Sequence, residues 1–224
     1  MTAATCGGPK SGYPLDGDGI WCEVRRRARR NGAALFVDRD GVVVKEIDHL
    51  CRVEDVAVLP AAAAVISAAN RQGIPVVLIT NQAGIGRGLY GWADFLAVQN
   101  AIIAVLEAQG ARFDAVYACP HHPSGKGDFW HPDHPARKPN PGMILRAAAD
   151  LGLDLKRSWL VGDKTIDVEA AKRAGLAGAM QVMTGYGGAE WPSSVALATA
   201  IFEVRQGRSI ADAATLPIFA GLGL

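Results

Sequence analysis

The sequence predicts an α/β fold, a Rossmann-like doubly wound parallel sheet with helices on both faces. Two features carry that prediction. Short apolar segments alternate with segments of helical character, and "IPVVLIT" (74–80) is apolar almost throughout, the pattern of a strand covered on both faces. The helical segments are also punctuated. "PAAAAVISAANRQG" (60–73) and "PGMILRAAADLG" (141–152) each open on proline and close on glycine, residues suited to a first turn and to a stop.

The elements follow in order. "AALFV" (33–37) is a short strand that ends at a charged loop. After the 60–73 helix and the 74–80 strand, "WADFLAVQNAIIAVLEAQG" (92–110) is a long helix and "FDAVYA" (113–118) a strand. The 141–152 helix, the "SWLVG" strand (158–162), the "TIDVEAAKRAG" helix (165–175) and the "GAMQVM" strand (178–183) complete the alternation. Three stretches are expected: a loosely ordered arm over 1–31, a core over 32–190, and a helical tail over 191–224 packed on it. The segment between the 113–118 strand and the 141–152 helix is long for a connection of this kind, so it has a function or its own staple.

Composition narrows the function. The chain has 224 residues, 50% of them hydrophobic, enough for one sizeable domain. Lys plus Arg is 23 against 22 for Asp plus Glu, so net charge points to neither nucleic acid nor membrane as a partner. "RRRARR" (25–30) is a local exception and is read as a solvated arm. Cys6, Cys22, Cys51 and Cys119 show no CxxC spacing, which predicts free thiols in a reducing compartment. No apolar run reaches the roughly 18 to 20 residues of a membrane span, and the first thirty residues lack the apolar stretch of a secretory signal. A cytoplasmic, monomeric protein acting on a small molecule is expected.

Chemistry gathers at the carboxyl ends of strands in such a sheet, and here four of those ends are distinctive. In "LFVDRDGVVV", Asp38 at a strand tip can attack phosphorus, Asp40 can act as acid and base, and both can help hold a hard cation such as Mg²⁺. An Asp-Gly turn with caps would read the same way. "LDGDGIW" repeats the DxDG pattern at Asp16 to Gly19, but no apolar strand precedes it, so it is read as a turn. In "LITNQAGIGRG", Thr80 and Asn81 can hold phosphoryl oxygens, although the glycines alone are a weak signal. In "RKPNPG", Lys138 can neutralise a phosphoryl group and Arg137 can grip a second anion. In "VGDKTIDVEAA", Asp163 suits Mg²⁺, Asp167 is a helix cap or a supporting acid, and Lys164 can pair with Asp38 or a neighbour. Together they form a phosphoryl cage.

On these residues the chain resembles the haloacid-dehalogenase-like phosphatases, in the branch that holds heptose-bisphosphate and histidinol-phosphate phosphatases. "FVDRDGVV", "LITNQAGIGRG", "CPHHP", "RKPNPGM", "VGDKTIDVEAAKRAG" and "TGYG" carry the likeness, over about 33 to 187. The resemblance implies a Mg²⁺-dependent phosphomonoesterase without a large cap domain, working through an aspartyl phosphate. It implies Asp38 as nucleophile and Asp40 as acid/base, with Mg²⁺ held by Asp38, Asp163 and the Asp40 carbonyl. Thr80, Asn81, Gln82, Lys138 and Lys164 would bind phosphate or substrate, and Arg137 a second phosphate. The implied substrate is D-glycero-D-manno-heptose 1,7-bisphosphate, losing its 7-phosphate in the making of lipopolysaccharide precursors. Histidinol phosphate or another small metabolite is the alternative. A receiver-like signalling domain also uses Asp, Thr and Lys with Mg²⁺, but its phosphorylated Asp ends a later strand.

"CPHHPSGKGDFWHPDHPARKPNPG" (119–142) holds Cys119 and all but one of the five histidines. In the heptose branch this loop carries a structural zinc on a Cys-x-His pair and a Cys-x-Cys pair. Cys119 and His121 match the first pair, whereas the second falls on His134 and Ala136. Cys119, His121, His131 and His134 would be a workable Zn²⁺ set. A metal-free loop stiffened by Pro120, Pro123, Pro132 and Pro135 reads equally from the sequence.

Overall fold

The structure, a computed structural model, describes residues 4–5, 15–26 and 31–220. Among them, eight strands form one sheet: β1 (Ala4–Thr5), β2 (Trp21–Val24), β3 (Leu35–Val37), β4 (Val76–Asn81), β5 (Ala115–Cys119), β6 (Trp159–Gly162), β7 (Gly178–Val182) and β8 (Glu203–Gly207). Their order is β1-β2-β5-β4-β3-β6-β7-β8. From β5 to β8 every neighbouring pair is parallel, while β2 lies antiparallel on β5 and β1 antiparallel on β2. The helices are α1 (Ala62–Arg71), α2 (Ala83–Arg87), α3 (Trp92–Glu107), α4 (Gly142–Leu151), α5 (Thr165–Ala174), α6 (Gly187–Val195) and α7 (Pro217–Ala220). The parallel part starts in the middle at β3, grows outward through β4 and β5, then resumes on the other side of β3 with β6, β7 and β8. The order reverses at β3, where such a sheet opens a crevice above its carboxyl edge.

Period-two alternation sends each strand into two cores. Leu35 and Val37 of β3 join Leu78, Ile66 of α1, and Phe95 and Ile102 of α3 on one face. Phe36 joins Val77, Tyr117, Met143 and Ile144 of α4, and Val168 of α5 on the other. Leu35, Phe36 and Val37 are wholly buried, which is why β3 is apolar at every position.

Both ends of the chain differ from expectation. The arm is not loose throughout, because Trp21–Val24 is a strand that covers the edge of β5, and an uncovered edge is an open hydrogen-bonding template. Trp21 packs edge-on against Phe95, with centroids 5.2 Å apart, and stacks on Trp92 at 6.4 Å. Of the arginine run, Arg25 pairs with Glu23 and Glu107, and Arg27, Arg29 and Arg30 lie outside the described residues. The tail, expected to be helical, holds β8 beside β7 as well as α7. "EVRQG" is polar because β8 is largely exposed, so it lacks the apolar run of an inner strand. No helix among the described residues is long and apolar enough to cross a membrane.

The second DxDG is a turn, as expected. Asp16 Oδ1 accepts from the N–H groups of Asp18 and Ile20, both at 2.9 Å. Arg146 of α4 pins the turn by pairing with Asp16 and, at 3.2 Å, with Asp18. Gly19 has φ +71°, and a Cβ there would sit 2.7 Å from His121 Nε2 and 2.9 Å from His134 Nε2. The turn is therefore seated on the histidine loop. Gly19→Ala is expected to cost about 1–3 kcal/mol through this collision and the positive φ. Gly17→Ala, with open space around it, should stay within about 0.5 kcal/mol. Thermal unfolding of the two variants checks this, and equal midpoints would mean that the turn is not seated.

Candidate active site

The four predicted strand ends meet above β3. Asp38 directly follows β3, and its N–H donates to Val161 of β6 at 2.9 Å. Lys138 arrives from the loop before α4 and places its ammonium 2.8 Å from Asp38 Oδ1 and 2.6 Å from Asp167 Oδ1. The Ile79 carbonyl accepts from the same ammonium at 3.3 Å. Burial opposes the lysine's charge, but Asp167 and Asp38 hold it above its ordinary value. Asp167 also caps α5, where its Oδ2 accepts from the Lys164 N–H at 3.1 Å. Both roles considered for Asp167, cap and supporting acid, are visible in one side chain.

Asp163 lies beside them, wholly buried. Its Oδ2 accepts from the Tyr186 N–H at 3.0 Å, and its Oδ1 has no hydrogen-bond partner among the described residues. Burial first, then the Asp38 and Asp167 charges, push its carboxyl well above the usual range. Asp38, Asp163 and Asp167 offer oxygens within 4.8 Å of one another. A buried all-oxygen donor set with one orphaned oxygen fits a hard divalent cation such as Mg²⁺. The glycines of "DG" and "TGYG" follow from this crowding. Gly41 and Gly185 both have positive φ, and a Cβ on either would strike Asp163 Oδ2.

Asp40 faces the pocket from a hydrogen-bonded surround. The Arg39 guanidinium donates through Nε to Oδ1 at 3.1 Å and through Nη2 to Oδ2 at 3.0 Å. From across the pocket, Gln82 Nε2 reaches Asp40 Oδ2 at 3.5 Å and donates to Thr80 Oγ1 at 2.9 Å. Thr80 therefore keeps its own O–H to donate. Asn81 was expected to face phosphoryl oxygens. Instead its side chain clamps Lys138, accepting from the lysine N–H and donating to the lysine carbonyl, both at 3.0 Å. That amide positions the lysine.

The pocket, a cavity of about 190 Å³, is lined by Asp38, Arg39, Asp40, Thr80, Asn81, Gln82 and Lys138, with Arg137 and Lys164 also in its wall. Arg137 Nη1 donates to the His121 carbonyl at 3.3 Å. Lys164 does not pair with Asp38. Its ammonium stands 3.5 Å from Glu46 and 4.3 Å above the Tyr186 ring. Burial pushes Glu46 up in spite of that lysine. Arg39, Glu46, Tyr90 and Tyr186 were given no role from the sequence. Only Arg39 carried a signal, as the residue between the two aspartates.

The histidine loop gathers Cys119, His121, His131 and His134. The His121 and His134 rings stack 3.8 Å apart with 3° between their planes. His134 Nδ1, the nitrogen 3.9 Å from Cys119 Sγ, accepts from the Ala136 N–H, and His131 Nδ1 accepts from the Asp133 N–H. Burial, then the neighbouring histidines, push His134 down to about 4. Among the described residues no three ligand atoms of Cys119, His121, His131 and His134 come within 4.8 Å of one another, as those of the aspartates do. Both ring nitrogens of His121 are buried without a hydrogen-bond partner among the described residues, so the four side chains lie near one another without forming one tight ligand set.

Comparison with known proteins agrees with the geometry. The HAD-hydrolase-like family model matches residues 135–203. A D-glycero-beta-D-manno-heptose-1,7-bisphosphate 7-phosphatase from Mesorhizobium japonicum is 45% identical over 167 residues, covering 74% of this chain and 77% of the relative. A D-glycero-alpha-D-manno-heptose-1,7-bisphosphate 7-phosphatase from Burkholderia mallei is 41% identical, over 64% of this chain and 76% of the relative. Among solved structures, a HAD-like phosphatase from Mesorhizobium loti superposes with a TM-score of 0.81 at 38% identity, covering 93% of this chain and 95% of the other. The D,D-heptose 1,7-bisphosphate phosphatase of B. bronchiseptica, complexed with magnesium and phosphate, gives 0.70 at 30% identity, covering 82% and 96%. By the 45% identity to a relative covered over 77% of its length, this chain belongs to the haloacid-dehalogenase-like phosphatases, in the family of the heptose-1,7-bisphosphate 7-phosphatases.

Proposed function

We propose that the protein removes the 7-phosphate of D-glycero-D-manno-heptose 1,7-bisphosphate through an aspartyl phosphate on Asp38. The observation that carries this is the Asp38 carboxylate, fixed at the switch point of the sheet between Lys138 and Asp163. Its Oδ1 accepts from Lys138 Nζ and the Arg39 N–H, both at 2.8 Å. Oδ2 is left to attack phosphorus in line. As that bond forms, the sugar oxygen leaves and takes a proton from Asp40. Asp40, now a carboxylate, takes a proton from water, which attacks phosphorus and breaks the bond to Asp38. Lys138 and the Thr80 hydroxyl bind the phosphoryl oxygens. Asp38 and Asp163, with the Asp40 carbonyl as the resemblance implies, would hold Mg²⁺, which when bound would supply charge neutralisation for the phosphoryl group. Arg137 and Lys164 are the rim cations that suit the second phosphate. The relatives carry both anomeric names, so both anomers belong in the test. The 119–136 loop is read as metal-free, held by its histidine stack and the N-terminal turn.

Phosphate release from both heptose 1,7-bisphosphate anomers, fructose 1,6-bisphosphate and histidinol phosphate tests the substrate. A heptose preference in kcat/KM is expected, and indifference across the panel would sink it. Asp38→Asn is expected to lower kcat by more than about 10³-fold, since nothing else can form the covalent bond.

Mg²⁺ is expected to raise the thermal midpoint of the wild type by mass action. Asp163→Asn should abolish that rise while leaving the metal-free protein as stable as the wild type or more so, because it relieves three crowded carboxylates. A Mg²⁺ response that survives in this variant would place the ion elsewhere. Elemental analysis should find less than stoichiometric zinc. 1,10-Phenanthroline with excess Mg²⁺ should leave the midpoint unchanged, and a fall would restore the zinc set.

A further inference from the structure

We propose that Arg39 is a positioning residue for Asp40, and that with Gln82 and Tyr90 it forms a cradle that leaves one oxygen of Asp40 for proton transfer. This rests on the reading of Asp40 as acid/base. Arg39 is 1% exposed, a full guanidinium inside the protein, 5.8 Å from the centroid of the Phe95 ring. Its fork holds both oxygens of its chain neighbour, with Nε 3.1 Å from Oδ1 and 3.2 Å from Oδ2, and Nη2 3.0 Å from Oδ2. Its Nη1 has no hydrogen-bond partner among the described residues. A buried N–H without a partner is costly, and a methionine beside Phe95 would avoid that cost. The fork fixes the plane of the carboxylate, which a lysine, as a point charge, cannot do.

The opposite wall completes the cradle. Tyr90 OH donates to Gln82 Oε1 at 2.6 Å, which turns the Gln82 amide so that its Nε2 faces Thr80 and Asp40 Oδ2. Burial pushes Tyr90 up to about 12, so the hydroxyl keeps its proton at neutral pH. Asp40 Oδ2 is thus approached by Arg39 Nε, Arg39 Nη2 and Gln82 Nε2, while Oδ1 meets Arg39 Nε alone. Oδ1 keeps lone-pair capacity toward the pocket and is the oxygen that gives and takes the proton.

The test uses two leaving groups. A sugar phosphate needs a proton on its departing oxygen, whereas p-nitrophenyl phosphate departs as a stable phenolate. Arg39→Met is expected to lose on the order of 10²-fold in kcat/KM on the sugar phosphate and less than about 5-fold on p-nitrophenyl phosphate, with KM little changed. Arg39→Lys should not rescue it. Equal loss on both substrates, no loss on either, or full rescue by lysine overturns the proposal. If Arg39→Met does not fold, Tyr90→Phe carries the test, with an expected loss of about 10-fold confined to the sugar phosphate; a uniform effect there overturns the cradle. Asp40→Asn is measured alongside. If it loses kcat/KM equally on both substrates, a ratio that excludes the water step both share, the acid/base reading fails and the proposal with it. If it is selective and Arg39→Met is not, the positioning role alone fails.

Discussion

One ammonium placed among three carboxylates organises this protein. Asp38, Asp163 and Asp167 are each 7% exposed or less, and Lys138 is 3% exposed. Burial and mutual repulsion push Asp163 and Asp167 up, so the cluster holds protons that a divalent cation would displace, and with all three ionised two negative charges exceed the one positive, the charge of one such cation. A buried ion pair is weak evidence for stability, but removing one partner of such a pair costs about 3–5 kcal/mol because the other is left uncompensated. Lys138 is thus a condition for folding the acid cluster. The remaining imbalance prepares the pocket for a hard cation. In this site stability has been given up to charge that function uses.

Lys138 must therefore be placed accurately by a long loop. Two devices do this. The Asn81 amide grips the lysine backbone from the end of β4. The loop itself is held from outside: the N-terminal turn lies on His121 and His134, and the His121 carbonyl accepts from Arg137. Contacts run from Asp16 and Arg146 through the turn to Arg137 and Lys138.

The inner strands and their polar ends were legible because two independent signals coincide there. A strand buried on both faces must be apolar throughout, and phosphoryl chemistry needs particular residue types just past it. Asp38, Asp40, Thr80, Lys138 and Asp163 stood out for that reason, and the structure brings them together. β8 was missed because an edge strand need not be apolar on both faces, as "EVRQG" shows, and β2 because its second half, Glu23 and Val24, is only half-buried. Glu46, Tyr90 and Tyr186 were missed for another reason. They come from loops and a helix approach whose reach is set by tertiary packing, so no local period marks them. Asn81 was found in the right place with a different task, because an amide that can hold phosphate can equally hold a backbone.

The histidine loop shows where resemblance stops being sufficient. A zinc staple closes a loop by fixing distant ligands at one point, and its binding free energy becomes folding free energy. A docked turn can replace it only if it restrains the same loop by other means. Here the restraint is an added strand on β5, an ion pair to α4, and a glycine that lets backbone come down on two stacked imidazoles. Each is modest alone, and each comes from residues 15–24, outside the motif stretch of about 33–187.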